Sequence, residues 1–357
     1  MTETGTVWSE RDTTPSAVEE ALRELLKGRH AAGESYAPAR VLNLVVIADR
    51  EWRGEIQNRL DRVGRYHASR TILCAVEQGR TEIDAWATVT AEEEDVEADR
   101  VAVAREQVVL DIGPKHLEHL DRIVDPLLVM DLSTLVWSPH DHDEAVDSLM
   151  RIAQSVLLDS VSEADAPAAI RRAAELKEHA YVVDLAWLRS TPWRERVAAT
   201  FDPPQWRPEL GRISAVTVRH HPDSAVAGVL LLGWLARRLG WEPGPLADID
   251  PDGRSSGTGK AADGDVGLVL EPDHTMPIPG LAGVTIDTRT GLSVSLDRGP
   301  GGLSARRRTP DGHEAQWTVL GASRGEAGIL GEGIRQSLLR DKGYGQALTA
   351  AGAMVCS

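Results

Sequence analysis

Cysteine is scarce in this chain, and that scarcity restricts the chemistry available to it. Only Cys74 and Cys356 occur among 357 residues. Two cysteines so far apart make neither a zinc site nor a disulfide framework. One phenylalanine stands beside ten tryptophans, an unusual ratio for a soluble protein.

An excess of positive charge is also missing. The chain has 39 Lys and Arg residues against 55 Asp and Glu residues, a formal net charge of −16. A charge of this sign repels phosphate backbones, whereas nucleic-acid binders normally show a basic stripe or domain. We therefore expect no nucleic-acid partner.

Long apolar runs are absent as well. The longest, Ala225 to Ala236, is 12 residues, whereas a membrane span needs roughly 18 to 20. The first residues, MTETGTVWSERDTT, lack the basic start and apolar core of a secretory signal. We therefore expect a cytoplasmic protein without a membrane partner.

The order of apolar segments predicts an α/β fold with two α/β domains. A helix from about Pro15 to Arg29 and a linker occupy residues 1–37. The strand Val41 to Asp49, the helix Glu51 to Val63 and the strand Ile72 to Glu77 then form a strand, helix, strand unit. Residues 38–165 are thus predicted to hold a mostly parallel sheet with helices on its faces, and residues 166–357 a second domain.

The second domain is predicted to contain a mixed sheet that includes an antiparallel meander. Residues 243–264 are rich in Gly, Asp and Ser and are predicted to be a flexible loop. Short strands are expected at 266–270, 283–287, 292–296 and 315–320. Two helices, at about 326–339 and 344–354, end the chain.

Three enzymatic motifs fail on inspection. Gly321 to Gly325 has the G-x-S-x-G pattern, but no histidine follows Ser323 in the order that this motif requires, so an S-x-x-E helix cap with Glu326 is favoured. The stretch Gly257 to Lys260 lacks the first glycine and the Ser or Thr of a phosphate loop and is interpreted as a linker. No glycine-rich turn follows Val41 to Asp49, so we expect no nucleotide cofactor.

The histidines do not form an obvious metal site. His140 to Glu144 offers nitrogen and oxygen ligands, but the run opens a helix, where Asp141 or Asp143 suits a capping role. No second ligand cluster accompanies it, and a catalytic zinc needs three converging ligands. His220 and His221 are expected at the surface or at an interface. We expect no bound metal and no cofactor.

The segment Tyr181 to Thr200, YVVDLAWLRSTPWRERVAAT, is the richest in recognition chemistry. Arginine and tryptophan are enriched at interface centres. Within the segment, a four-residue spacing places Trp193, Val197 and Phe201 on one helix face, toward the core, so that Arg194 and Arg196 point elsewhere. Its candidate contact residues are Trp187, Arg189, Thr191, Trp193, Arg194 and Arg196.

A second basic patch lies between a helix and a strand, where α/β proteins place functional groups. Its candidate residues are Arg62, Arg65, Tyr66, His67 and Arg70. Cations at a helix end also complement the helix dipole, with Gly64 as the residue after the helix. Recognition of an acidic surface or an anion and this structural explanation both stay open.

Three stretches carry a family resemblance: LNLVVIADREWRGEIQNRLDRVGRYHASRTILCAVE, WSPHDHDEAVD and YVVDLAWLRSTPWRERVAATFDPP. They resemble the OpcA family, the glucose-6-phosphate dehydrogenase assembly proteins, in its actinobacterial form. The likeness covers about residues 38–242 and is weaker from Pro243 onward. Cyanobacterial members are associated with thiol control near the C-terminus, but this chain has only Cys356 there, so we do not expect redox control.

The resemblance implies a non-catalytic partner of glucose-6-phosphate dehydrogenase. Such a protein would favour the active oligomer and act as an allosteric activator in the oxidative pentose phosphate pathway, supporting NADPH supply. The alternative is a sugar-phosphate-binding protein or enzyme whose arginine-rich turns hold phosphate.

Overall fold

The computed structural model describes residues 6–31, 40–64, 68–91, 104–163, 165–320 and 325–355. The strands are β1 Thr6–Glu10, β2 Leu42–Asp49, β3 Ser69–Val76, β4 Asp84–Ala91, β5 Ala104–Ile112, β6 Ser133–Trp137, β7 Ser155–Leu158, β8 Tyr181–Asp184, β9 Ile213–His220, β10 Glu242–Pro243, β11 Asp248–Ile249, β12 Ser255–Ala261, β13 Gly264–Pro272, β14 Leu281–Thr288, β15 Ser293–Gly299, β16 Gly302–Arg308 and β17 Glu314–Leu320. The α-helices are α1 Pro15–Ala31, α2 Arg53–Gly64, α3 Leu120–Val124, α4 Asp143–Leu149, α5 Ala166–Lys177, α6 Leu185–Arg189, α7 Thr191–Phe201, α8 Ala225–Leu239, α9 Gly325–Leu339 and α10 Gly343–Val355. No helix among these residues is long and apolar enough to cross a membrane.

Two compact units make up the chain. The first holds residues 1–158, 179–181 and 326–339, and the second holds 159–178, 182–325 and 340–357. All of helix α9 except Gly325 therefore belongs to the first unit, although the chain on both sides of it belongs to the second. Sequence reasoning did not anticipate this return.

The first unit contains a mostly parallel sheet in the order β1-β4-β5-β3-β2-β6-β7. Strand β2 pairs in parallel with β3 and β6, and β3 pairs in parallel with β5. Residues 42–48 of β2 are all buried, as expected for a strand covered on both faces. The predicted parallel sheet is confirmed.

The antiparallel edge of this sheet was only partly predicted. The sequence predicts a hairpin of two strands, Asp84 to Thr90 and Val101 to Leu110, on either side of an acidic run. Strands β4 and β5 form that antiparallel pair, and the acidic run lies outside the described residues. Strand β1, which pairs with β4, was missed. Five residues, TVWSE, are too few for their alternation to stand out from the surrounding polar sequence.

The second unit contains a mostly antiparallel sheet in the order β10-β12-β13-β9-β14-β15-β16-β17. Strands β9 and β13 are its parallel pair. The predicted mixed sheet and its meander are confirmed, but β16 was missed because GLSARRR carries three consecutive arginines. The long apolar α8 packs against β9 and β13, and α10 packs against α8.

The predicted flexible loop at residues 243–264 is wrong for its second half. Residues 255–261 form β12, which pairs with β13 along its whole length. A Cβ atom at Gly257 would lie 2.1 Å from the Pro245 carbonyl oxygen, so this glycine permits close backbone approach. The linker interpretation of Gly257 to Lys260 is wrong for the same reason, since these residues lie within β12.

Strand register gives the second sheet an apolar face and a polar face. Val216, Ile286 and Val294 lie side by side in the buried layer beneath the helices. The next residue on each strand points the other way, as alternation requires. One row across this second face is Ser256, Val269, Thr217, Thr285, Ser295, Arg306 and Gln316.

Candidate functional site

The arginine- and tryptophan-rich segment lies in the second unit, where β8 leads directly into α6 and α7. Asp184, the last residue of β8, caps α6 by accepting a 2.8 Å hydrogen bond from the Ala186 backbone N–H. Pro192 stands in the first turn of α7, where its missing N–H costs no helical bond. These two devices fix the turn that carries the candidate residues.

Both tryptophans of the segment are buried. Trp187 is 3% exposed and Trp193 is 4% exposed. Val197 and Phe201 are buried with Trp193, so the expected core-facing side of α7 is confirmed. Neither indole is open to a partner in the chain as it stands.

Arg194 is part of this buried cluster, so the expectation that it points away from the core is wrong. Its guanidinium carbon lies 3.4 Å from the centroid of the Trp187 ring. The same guanidinium donates hydrogen bonds to the Trp187 carbonyl oxygen at 3.1 Å and to the Thr191 hydroxyl at 2.8 Å. Burial lowers the pKa of Arg194 to about 10.

The remaining polar residues of the segment differ in the hydrogen bonds and ion pairs that their side chains make. Arg189 holds Asp159 through two parallel hydrogen bonds of 2.6 and 2.8 Å. Thr191 is half-buried and accepts from Arg194. Arg196 is half-exposed, and its side chain has no hydrogen-bond or ion-pair partner among the described residues. Arg196 is thus the residue of this segment with an uncommitted charge.

A buried carboxylate that the sequence did not single out lies at the root of the segment. Asp184 is 1% exposed and accepts hydrogen bonds from the Ser160 hydroxyl at 2.5 Å and from the Tyr344 hydroxyl at 3.4 Å. Burial raises the pKa of Asp184 to about 6, against the opposing effect of the Ser160 and Ala186 donors. Burial likewise raises the pKa of Tyr344 well above its ordinary value.

The two described residues of the second predicted patch, Arg62 and Arg70, lie in different environments. Arg62 is exposed at the end of α2, while Arg65, Tyr66 and His67 lie outside the described residues. Arg70 is 8% exposed and points into the first unit. The patch therefore contributes Arg62 as its exposed, described cation.

Arg70 forms a buried ion pair. Its guanidinium contacts the Glu106 carboxylate at 2.6 Å and donates a 3.0 Å hydrogen bond to the Leu127 carbonyl oxygen. The Glu106 side chain is completely buried and also binds Arg40. Glu106 within strand β5 is the sign in the sequence that could have revealed this pair, because a charge inside a sheet needs a partner.

The carboxyl ends of the parallel strands border a cavity of about 540 Å³. It is lined by Asp49, Arg50, Glu51, Val76, Glu77 and Gln78. Such crevices bind nucleotides in related sheets when a glycine-rich turn admits phosphate. Here the Arg50 guanidinium is already bonded to Asp111 at 3.1 Å and Glu77 at 3.0 Å, and the carboxylates around it oppose an anion.

The histidine run at the end of β6 is tied to the neighbouring strand. His140 Nδ1 accepts a 3.2 Å hydrogen bond from the Asp49 backbone N–H, and His142 Nε2 lies 3.2 Å from the Asp49 carboxylate. His142 is the N-cap residue of α4 and no side-chain hydrogen bond caps the helix, so the predicted capping by Asp141 or Asp143 is wrong. Asp143 does lie in the first turn, where its charge complements the helix dipole as predicted. No group of three metal-ligating side chains is found among the described residues.

Two further expectations concern buried side chains. His220 is 4% exposed, so its predicted position at the surface or at an interface is wrong. Cys74 lies in the first sheet with no exposed surface, and burial raises the pKa of its thiol to about 12. Its partner in any redox role, Cys356, lies outside the described residues, as does Ser323.

Two domain families match this chain, and both are described as parts of a glucose-6-phosphate dehydrogenase subunit. Residues 60–175 match the family described as the N-terminal domain of that subunit. Residues 180–348 match the family described as its C-terminal domain. The two matches follow one another in the expected order.

The chain is also similar to proteins named putative OxPP cycle protein OpcA. The one from Synechococcus elongatus is 29% identical over 142 residues, which are 39% of this chain and 32% of that relative. The one from Nostoc punctiforme is 30% identical over 131 residues, 36% of this chain and 28% of the relative. The matched segments thus span about a third of these relatives.

Proposed function

Because this chain belongs to the OpcA family, we propose that it binds glucose-6-phosphate dehydrogenase as a non-catalytic assembly factor and favours the active oligomer of that enzyme. The observation that carries the proposal is the match of successive parts of the chain to the N- and C-terminal domains of a glucose-6-phosphate dehydrogenase subunit. The names of the relatives place them in the OxPP cycle, in agreement with this role.

The mechanism that we propose is a shift of population in the dehydrogenase. A ligand that binds the competent form better than the idle form moves the equilibrium between them. Each tenfold difference in affinity is worth about 1.4 kcal/mol, so a difference of about 100-fold would turn a mixture of roughly 1:10 into one of roughly 10:1. Large effects on activity need no chemistry from this chain.

The geometry of the arginines supports protein recognition over a phosphate site. A phosphate site needs several converging uncommitted donors. The guanidinium groups of Arg70, Arg189 and Arg194 are already engaged within the chain. Arg62 and Arg196 keep accessible charges that no other described residue engages, and we propose these two as contacts for the partner.

We expect this protein to raise the activity of the dehydrogenase while turning over no substrate itself. Dehydrogenase assays with and without the protein, run beside light scattering, would measure activity and complex size together. Calorimetry with glucose 6-phosphate and the isolated protein should show no heat of binding. Micromolar binding of the sugar phosphate, or a dehydrogenase that stays separate in light scattering, would reject the proposal.

Replacing Arg196 with glutamate should weaken binding to the dehydrogenase about three- to tenfold, because a reversed charge at an interface mainly changes encounter and specificity. The melting temperature should stay within about 2 °C, since the side chain has no partner among the described residues. Arg171→Glu, an equal change at a solvent-accessible position of α5, is the matched control. Equal affinity of Arg196→Glu and the control would remove Arg196 from the interface.

A further inference from the structure

The polar face of the second sheet carries two exposed arginines that the sequence analysis did not single out. Arg306 and Arg308 lie on β16, and neither has a hydrogen-bond or ion-pair partner within the part of the chain that the structure describes. Alternation along β16 sends Arg307, between them, to the opposite face. Two uncommitted guanidinium groups therefore stand side by side on one face.

Arg307, on the opposite face of β16, packs against two tryptophan rings. Its guanidinium carbon lies 4.5 Å from the centroid of the Trp206 ring and 5.4 Å from that of Trp317 on β17. Stacking of this kind fixes the long side chain between two flat rings. Because β16 is also paired along its length with β15 and β17, Arg306 and Arg308 project from an ordered backbone.

The neighbours of the two arginines are short or neutral on most sides. Arg306 stands between Ser295 and Gln316, and Arg308 stands between Ser293 and Glu314. Gln316 is oriented by a 3.3 Å hydrogen bond from its side chain to Ser304. Hydroxyl and amide groups beside a guanidinium add donors for a carboxylate, and small side chains lose little entropy on binding.

Acidic side chains lie on the two strands that pair with β16, Asp297 on β15 and Glu314 on β17. Asp297 on β15 is engaged by Arg219 on β9, which crosses over Gly283. A Cβ atom at Gly283 would lie 2.3 Å from the Arg219 guanidinium, so the glycine makes room for this cross-strand pair. The face thus has a free basic stripe on β16 and acidic groups on the strands beside it.

We propose that this face of the second sheet docks onto a folded, carboxylate-bearing surface of the dehydrogenase, with Arg306 and Arg308 as its basic anchors. This inference rests on the proposed function and specifies the surface that performs it. Guanidinium forks match carboxylates in two-point hydrogen bonds, which fix orientation as well as affinity.

The charge distribution favours the dehydrogenase over two other occupants of this face, a polyphosphate and a second copy of the chain. A polyphosphate would meet Glu314 and Asp297 on the same face as well as a chain whose net charge is −16. A second copy would carry the same net charge of −16 and would be repelled over long distances. A folded partner with its own pattern of both signs can match the basic stripe and the acidic groups together.

The test compares a double charge reversal with a matched control in the full chain. Arg306→Glu with Arg308→Glu should raise the Kd for the dehydrogenase about tenfold or more at physiological salt, since like charges facing each other oppose docking. The dependence of the Kd on salt should be weaker in this variant than in the wild type. Arg171→Glu with Lys177→Glu makes the same change of charge on solvent-accessible positions of α5 and should leave the Kd within about twofold.

Each outcome has one interpretation. If the wild-type chain binds and both double variants bind equally well, with unchanged melting temperatures, the docking face is wrong while the proposed function stands. If the wild-type chain itself fails to bind, the proposed function is lost. Loss of self-association in the Arg306 and Arg308 variant, measured by sedimentation, would identify a second copy as the occupant. Arg306→Gln with Arg308→Gln removes charge without reversing it and should give an intermediate Kd.

Discussion

Replacing Glu106 with alanine should destabilise the first unit by about 3–5 kcal/mol, the usual result of removing one member of a buried ion pair. The side chain of Arg70 is 10% exposed, and without Glu106 it would keep only the Leu127 carbonyl oxygen as a partner among the described residues. Urea unfolding followed by circular dichroism would measure the loss. Glu118→Ala, at an exposed position of the same unit, should cost less than about 1 kcal/mol.

A double replacement separates the ion pair from any role in binding. Arg70→Met with Glu106→Leu removes both charges and should recover much of the lost stability, because apolar residues of similar volume often replace a buried pair without penalty. Arg40 loses its carboxylate partner in this variant but is 19% exposed and can be hydrated. If the double variant binds the dehydrogenase as well as the wild type, Arg70 is a structural residue. A loss of binding with stability restored would return Arg70 to the interface.

Replacing Asp184 with asparagine should remove a pH-dependent loss of stability from the second unit. The pKa of Asp184 is raised to about 6 in the folded chain, whereas an unfolded aspartate titrates near roughly 3.9. The folded state therefore binds this proton more tightly than the unfolded state does. The stabilisation is complete below about pH 4 and is lost as pH rises through about 6, with a total of roughly 3 kcal/mol.

The difference between wild type and Asp184→Asn isolates this group from all other titrations. Asparagine can still cap α6 through its carbonyl oxygen, and its amide can donate to the Ser160 and Tyr344 oxygens that now serve the carboxylate. The variant should thus gain stability relative to the wild type between about pH 4 and pH 7. Asp202→Asn, on an exposed residue of the same unit, should show no such trend. A difference that stays flat over this range would show that Asp184 titrates normally.

Sequence reasoning reached the fold through its longest and most periodic segments. The continuous apolar run of β2 was assigned correctly because the strand buries most of the residues it contains. Strands were missed where the local composition disfavours a strand but pairing with neighbouring strands stabilises it. Strand β12 is rich in glycine and serine, and β16 ends in arginines, yet both are held by neighbouring strands that the local sequence does not reveal.

The candidate residues show the same limit more sharply. Arg70 was predicted as a contact residue because of its neighbours in the sequence. In the structure it is buried in an ion pair with Glu106, which lies 36 positions away on another strand. Asp184 and Tyr344 are 160 positions apart and meet only in the folded second unit. The type of residue suited to recognition could be predicted, whereas its exposure depended on distant partners.

The return of α9 to the first unit has a consequence for how the protein is made. Residues 326–339 belong with residues 1–158, so the first unit lacks one of its helices until the ribosome has already synthesised the whole sheet of the second unit. Domains usually fold in order of synthesis. Here the first unit can be completed only after most of the second unit has been synthesised. A nascent chain stalled before residue 326 would leave the first unit incomplete.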